Sequence, residues 1–347
     1  MSNILLSEIK IDKVGSFQNR VVMSAMTRGF ADKNHCATSD ILNYYESRAK
    51  NDIGLIITEG IIIHPSADGY NNVPHLFTDQ QMLSWKKIVD AVHKYKTKIY
   101  AQLWHCGRIS HSDYTNGIDP VSSTNNPATG INRQNQKPYG KPRALKTNEM
   151  ESVYNMFAHS AEMALKAGFD GVQIHMGHGY LVDQFIDGNI NDRKDKYGGS
   201  IENRIRFAIE LLDSLIKKIG NEKIMVRISP SRMMGGLYEW PEMMDTLEKL
   251  LKELDAAGLR QLDISCANSN YFETSGKIIR QIKKQWPHLL IGGASLTIDE
   301  AENEITEGLL DMVTWGRAIL ANPNFVKLIE KKLPLKEFNN SMRESLI

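Results

Sequence analysis

Short apolar runs recur along the chain from Val21 onward, each followed by a polar or glycine-containing loop and then by a stretch with helical spacing. The runs are VVMSAM from Val21, GLIITEG from Gly54, KIYAQLWH from Lys98, GVQIHM from Gly171, KIMVRIS from Lys223, LRQLDIS from Leu259, LLIGGA from Leu289 and MVTWG from Met312. They are apolar nearly throughout, as strands are when both faces of a parallel sheet are buried. The helical stretch before Gly171 puts Met150, Val153, Tyr154, Phe157, Ala161, Ala164 and Leu165 on one face; Asn148 with Glu151 predicts an N-cap pair, and Gly168 suits the position just past the end. Repeated βα units of this kind predict a closed (β/α)8 TIM barrel rather than an open doubly wound sheet. No Gly-x-Gly-x-x-Gly follows the first run, which weakens a dinucleotide-binding alternative.

Two segments fall outside the repeat. Residues 1 to 20 contain IKID, predicting a short N-terminal hairpin that closes the barrel bottom. The third run is followed, from Gly107 to Thr147, by a loop of roughly 40 residues rich in Asn, Pro, Gly and Ser, a length that usually accompanies function or disorder.

Composition narrows the partner. Lys plus Arg is 42 against 41 for Asp plus Glu, a net charge of +1, so no long-range field recruits nucleic acid or an anionic membrane. Cys36, Cys106 and Cys266 are odd in number and far apart, which suits neither a disulfide framework nor a Cys-x-x-Cys zinc site and points to a reducing compartment. Glu8 and Lys10 interrupt any signal-peptide core, and no run approaches the roughly 20 apolar residues of a membrane span. A cytoplasmic protein acting on a small molecule is expected, as a monomer or homodimer.

Barrel enzymes build their sites at the carboxyl ends of the strands. Thr27 follows the first run, Glu59 and Gly60 end the second, Gln102, Trp104 and His105 the third, and His175 the fourth; Arg227 lies in the fifth, Gly292 and Gly293 in the seventh, and Gly316 and Arg317 at the end of the eighth. Singly, such residues satisfy backbone groups. Together they predict one polar mouth. The glycines after the last two strands, with Arg317, match the place where barrels hold phosphate through backbone N–H groups. Arg227, in an otherwise apolar strand, calls for an anionic partner. A phosphorylated cofactor with an electron-rich ring would meet both demands.

The fourth run leads into HMGHGY, which places His175, His178 and Tyr180 together. A metal would need more ligands, from His105 or His111, and a His-x-x-His pair without carboxylate or cysteine company is poor support for one. Histidines bonded to loop carbonyls are the structural alternative. Two neutral imidazoles can instead donate to a carbonyl or nitro oxygen while the tyrosine hydroxyl delivers a proton, a pattern that asks for a hydride source.

NRVVMSAMTR, AQLWHCGRISH, KPRALKTNEM, NDRKDKYGGSIENRIRF, VRISP and DMVTWGRAILANPNF, in that order with the HMGHGY motif, resemble the Old Yellow Enzyme family of FMN-dependent NAD(P)H oxidoreductases. The resemblance implies a single FMN-binding barrel domain over residues 1–347, with FMN across the mouth. Thr27, beside Ala25 and Met26, would bond the flavin near N5; Gly60 would let the ring approach the backbone; Gln102 would bond the pyrimidine edge and Arg227 would face N1. Gly293, Ala294, Ser295, Gly316 and Arg317 would hold the phosphate. It implies a ping-pong reduction of activated alkenes, α,β-unsaturated carbonyl or nitro compounds, by hydride from NAD(P)H. His175 and His178 would grip the substrate oxygen, Tyr180 would protonate the α-carbon and Trp104 would shape the pocket. A pathway-specific isomerase or dehydrogenase on the same seat, a non-catalytic FMN-binding protein and a flavin-free metal-dependent lyase stay open. Ala25 stands where the family usually has proline, and FNNSMRESLI lacks the glycine-rich aromatic segment that in many relatives reaches back toward the site.

Overall fold

In the computed structural model, which describes residues 3–346 apart from 234–235, 267–268 and 294, all the apolar runs are strands. They are β1 (Val21–Met23), β2 (Leu55–Ile62), β3 (Lys98–Trp104), β4 (Gly171–His175), β5 (Ile224–Ile228), β6 (Gln261–Ile264), β7 (Leu289–Gly293) and β8 (Met312–Trp315). Every neighbouring pair is parallel, and β8 pairs with β1 to close the barrel. Helices α1 (Ser39–Ala49), α2 (Asp79–Val92), α3 (Met150–Ala167), α4 (Leu181–Ile186), α5 (Ile201–Ile219), α6 (Met243–Ala256), α7 (Ser275–Ile282), α8 (Ile298–Thr306) and α9 (Arg317–Ala321) intervene or follow.

The strands carry a polarity gradient that their apolar composition conceals. Successive side chains point to opposite faces. Outward residues such as Ile56, Ile99, Val172, Ile174, Val226, Leu262, Leu290 and Val313 join the helices in the larger core. Inward residues Val22, Leu55, Ile57, Tyr100, Met225, Leu289, Ile291 and Met312 form a second apolar cluster with Ile9 and Phe17. One step further along β3, β4, β5 and β6, the inward positions are Gln102, Gln173, Arg227 and Asp263, all buried. The barrel is therefore apolar at its base and polar toward its carboxyl end, where the site lies.

Phe17 belongs to the expected hairpin: Ile9–Ile11 pairs antiparallel with Gly15–Phe17, and Phe17 plugs the barrel floor, 1% exposed. The long loop after β3 is ordered by two small ladders, Val121–Ser122 on Arg143–Ala144 and Ile131–Asn132 on Lys137–Pro138. The start of α3 differs from expectation. Thr147–Glu149 already forms a 3-10 turn, so Asn148 and Glu151 are not a cap pair. Glu149 takes that role because its carboxylate reaches back to the N–H of Lys146 at 2.7 Å while binding Arg143 at 2.7 and 3.0 Å. Gly168 ends α3 with φ +96°, as its position suggests.

The long motifs divide their labour. In YGGSIENRIRF, Ser200 caps α5 by accepting the N–H of Asn203, and buried Arg204 donates to the carbonyls of Ile186 and Gly199, tying α5 to the loop below the site. Among the described residues, no helix is long and apolar enough to cross a membrane.

Candidate functional site

Two contiguous hollows occupy the carboxyl end of the barrel. The larger, a cleft of about 430 Å³, is lined by the segment Ser24–Arg28 after β1, Arg227 of β5, Ser265 and Cys266 after β6, Thr314, Gly316, Arg317 and Leu320 around the end of β8, and Tyr70 and Arg343. The smaller, about 180 Å³, is bounded by Ala25, Thr27, Gln102, Trp104, His175, His178, Tyr180 and Arg227. Ala25, Thr27 and Arg227 are common to both, so a ligand along the cleft would abut whatever fills the smaller hollow. The charged groups lining the cleft are Arg28, Arg227, Arg317 and Arg343, with no carboxylate among its lining residues. This donor set suits an elongated ligand bearing anionic groups.

Most residues singled out in the sequence meet here. Of the residues expected to hold the cofactor, Gly60, Gly293 and Ser295 stand back from the hollows. A Cβ at Gly60 would lie 2.4 Å from Cε3 of Trp104, so the space this glycine leaves is taken by the indole ring. Gly293 has φ +149°, and a Cβ there would meet the Thr314 carbonyl at 2.3 Å. Ser295 is exposed, its Oγ accepting the Tyr271 N–H at 2.9 Å. Ala294 lies outside the described residues. At Gly316 a Cβ would come within 2.9 Å of the Met26 sulfur, so glycine lets the segments after β1 and β8 meet at the cleft floor.

Arg227 already has an internal anion, which corrects the expectation that its partner must come from a ligand. Its Nε donates to Ser265 Oγ at 2.8 Å and lies 3.6 Å from Asp263 Oδ2. The same carboxylate oxygen accepts from Gln173 at 3.0 Å, and Gln173 accepts from Gln102 at 2.7 Å. A buried line of hydrogen bonds and one ion pair thus crosses β3, β4, β5 and β6 and fixes the amide of Gln102 as well as the guanidinium. Burial raises the Asp263 carboxyl above its ordinary range, opposed first by Arg227. The Nη groups of Arg227 have no acceptor among the described residues and lie at the wall shared by the hollows, available to an electronegative ligand edge. These donors, with the glycine-floored end at Gly316 and Arg317, fit a flat phosphorylated cofactor.

The HMGHGY turn owes its shape to glycine and to buried Asp183. His178 has φ +58° and Gly179 φ +80°, a left-handed turn at the end of β4. Asp183 of α4 accepts the Gly179 N–H at 2.5 Å and is itself held by Arg232 at 2.7 Å and by the Trp240 indole at 2.6 Å. The rings of His175 and His178 stand 5.2 Å apart, and Tyr180 lies 4.9 Å from His175 and 4.8 Å from Trp104. Burial, reinforced by Arg227, holds both imidazoles well below their ordinary pKa, so both are neutral at pH 7. His175 Nδ1 accepts the Gly177 N–H at 3.4 Å, which leaves the proton on Nε2. Burial above all, followed by the neighbouring Tyr70, pushes the Tyr180 hydroxyl well above its ordinary value, so it stays protonated. The hollow therefore offers neutral N–H and O–H donors.

Three contributors carried no signal at a strand end. Tyr70 comes from ADGYNN in the loop after β2 and hydrogen-bonds Tyr180, hydroxyl to hydroxyl, at 2.7 Å. Asp263 is hidden in an apolar strand. Arg343 arrives from the C-terminal segment, which reaches the cleft although it has no glycine: Arg28 Nη2 donates to the carbonyls of Met342, Arg343 and Ser345 at 3.3, 3.4 and 2.7 Å.

Comparison with known proteins agrees with this geometry. Residues 5–336 match the model of the NADH:flavin oxidoreductase / NADH oxidase family. A rice protein (Oryza sativa subsp. japonica) named 12-oxophytodienoate reductase 1 is 34% identical over 97% of this chain and 88% of its own length. An Arabidopsis thaliana protein, named as 12-oxophytodienoate reductase-like, is 35% identical over 92% of this chain and 98% of its own. The solved structure of the Old Yellow Enzyme homologue from Zymomonas mobilis superposes with a TM-score of 0.91 at 32% identity, covering 98% of this chain and 96% of that one. The chain belongs to the Old Yellow Enzyme family and is an FMN-dependent oxidoreductase that uses NAD(P)H as its reductant.

Proposed function

We propose that this enzyme reduces activated C=C bonds, those conjugated to a carbonyl or nitro group, within the smaller hollow. The observation that carries the reading is the convergence of His175, His178 and Tyr180 on one hollow whose lining includes Ala25, Thr27 and Arg227, which also line the cleft. The rice relative's name, which joins an oxo group to a dienoate, supports an unsaturated oxo compound as the substrate class.

In this reading Ala25, Met26, Thr27, Gln102, Arg227, Gly316 and Arg317 would hold FMN along the cleft, with Gly60, Gly293, Ala294 and Ser295 in support, and the bound flavin would supply hydride drawn from NAD(P)H. His175 and His178 then bind the carbonyl or nitro oxygen. As neutral donors they are more strongly bonded to that oxygen once it becomes an oxyanion, which is the differential stabilisation that lowers a barrier. Fixed by the Gly179–Asp183 turn, they need no reorganisation as charge develops. Tyr180, 4.9 Å from the His175 ring, gives its hydroxyl proton to the α-carbon. Trp104 packs edge-on to Tyr180 and limits the depth of the pocket.

The Tyr180→Phe variant tests the assignment by anaerobic stopped-flow, with NADPH and 2-cyclohexenone mixed separately. Loss of a general acid should slow the enone step by about 10²-fold or more, while the NADPH step changes little. Equal slowing of both steps, or neither, would remove Tyr180 from proton delivery.

A further inference from the structure

The hydroxyl of Tyr180 has one hydrogen-bond partner among the described residues, the hydroxyl of Tyr70 at 2.7 Å. A phenol has a single O–H to donate. If Tyr180 aims that proton at a substrate carbon, the short contact must run the other way, with Tyr70 donating to Tyr180. We propose that Tyr70 is the proton source that restores Tyr180, so that the two tyrosines form a relay from solvent to the substrate α-carbon. The inference rests on the reading of Tyr180 as the proton donor and extends it.

The steps balance. Once the β-carbon has been reduced, the electron pair at the α-carbon takes the Tyr180 proton: a C–H bond forms, the Tyr180 O–H breaks, and a phenolate remains. Burial makes that phenolate costly. It takes the Tyr70 proton through the existing hydrogen bond. The Tyr70 phenolate takes a proton from water, and the hydroxide so formed is neutralised by buffer. Each turnover consumes one solvent proton, and no further oxidant or reductant is needed.

The fold holds Tyr70 in place for this task. Asp68 Oδ1 accepts the N–H groups of Gly69 and Tyr70 at 2.6 and 3.1 Å, and its other oxygen is bonded to His75 Nε2 at 2.9 Å. His75 stacks on His35, centroids 3.7 Å apart and planes within 10°, and His35 Nδ1 is bonded to the Val73 carbonyl at 2.9 Å. Although His35, Asp68 and His75 cluster closely enough to suggest a metal site, the lone pairs of two stacked rings lie in parallel planes and do not converge on one ion. The cluster instead braces the loop that presents Tyr70. The Tyr70 ring also packs on Trp104 at 4.6 Å and lines the larger cleft, whereas Tyr180 lines the smaller hollow, so the hydrogen-bonded pair links the two. The other ionisable groups around the pair are His175, Cys106, Tyr139 and Arg133.

The test compares the holoenzyme with Tyr70→Phe and Tyr180→Phe in anaerobic stopped-flow, reoxidising the reduced enzyme with 2-cyclohexenone, which is protonated on carbon, or with 1,4-benzoquinone, which is protonated on oxygen. Tyr70→Phe should slow the enone reaction about tenfold, several times more than the quinone reaction, because a general acid contributes about 10²–10⁴-fold and water replaces part of the supply. The solvent deuterium isotope effect on the enone step should fall with it, because fewer protons then move in the slow step. Equal slowing with both oxidants, or an unchanged isotope effect, would leave Tyr70 a packing residue and overturn the relay. If Tyr180→Phe itself reduces enone normally, the underlying proton-donor reading fails instead, and the two failures are distinct.

Discussion

Glu59 sits at the carboxyl end of β2, 1% exposed, and its Oε2 accepts the N–H groups of Arg28 and Gly29, both at 3.0 Å. It thereby holds the segment that carries Met26 and Thr27 to the cleft. Burial raises its carboxyl from 4.5 to about 7, against the opposing pull of those two N–H groups and of the Arg28 charge. A group whose pKa is higher folded than unfolded binds more protons in the native state between the two values, so its contribution is intact below pH 4.5 and is lost as pH rises through 7. At 1.36 kcal/mol per unit, the loss is about 3 kcal/mol. Glu59→Gln removes the titration and keeps an oxygen to accept both N–H groups. Urea unfolding of wild type and variant at several pH values between 4 and 8 should show the variant gaining about 3 kcal/mol relative to wild type across that window. Parallel stability curves would mean that Glu59 is solvated and would refute the burial argument.

Further outcomes follow from the same contacts. His178→Ala should weaken binding of p-hydroxybenzaldehyde, read from perturbation of the flavin spectrum, and slow enone reduction while FMN stays bound; unchanged turnover would remove His178 from oxyanion stabilisation. Because burial and Arg227 hold both site histidines well below 6.5, enone reoxidation should show no histidine titration between pH 5.5 and 7, and a step near 6.5 would contradict their neutral state. Gly60→Ala should displace Trp104, since the added carbon meets Cε3 at 2.4 Å, with an overpacking cost of about 1–3 kcal/mol visible in thermal denaturation and altered indole fluorescence. An unaltered melting temperature would show that the indole has room to move.

The barrel is legible in the sequence because each strand is a short apolar run between a loop and a helical stretch, and even the floor hairpin announces itself in IKID. Which face of each strand turns inward is harder to read. In KIYAQLWH both sets of positions are buried, so no polar alternation marks Tyr100, Gln102 and Trp104 as the inward set. The same concealment hides Asp263, whose carboxylate partners Arg227 across adjacent strands. Asn148 and Glu151 have the right spacing for a cap, but spacing alone does not reveal that Glu149 binds Arg143 and starts the turn early. Tyr70 and Arg343 lie in segments with no strand-end position, and their neighbours, Tyr180 and Arg28, are distant in sequence. What the pattern of residue types conveys is which strand ends are polar; the loops that close over them depend on tertiary contacts.

The most direct test of the proposed chemistry is the visible absorption spectrum of the purified protein, recorded anaerobically before and after NADPH and again after 2-cyclohexenone. The flavin band should bleach with NADPH and recover with the enone. A flavin that bleaches and stays bleached would contradict the reduction of activated alkenes at this site.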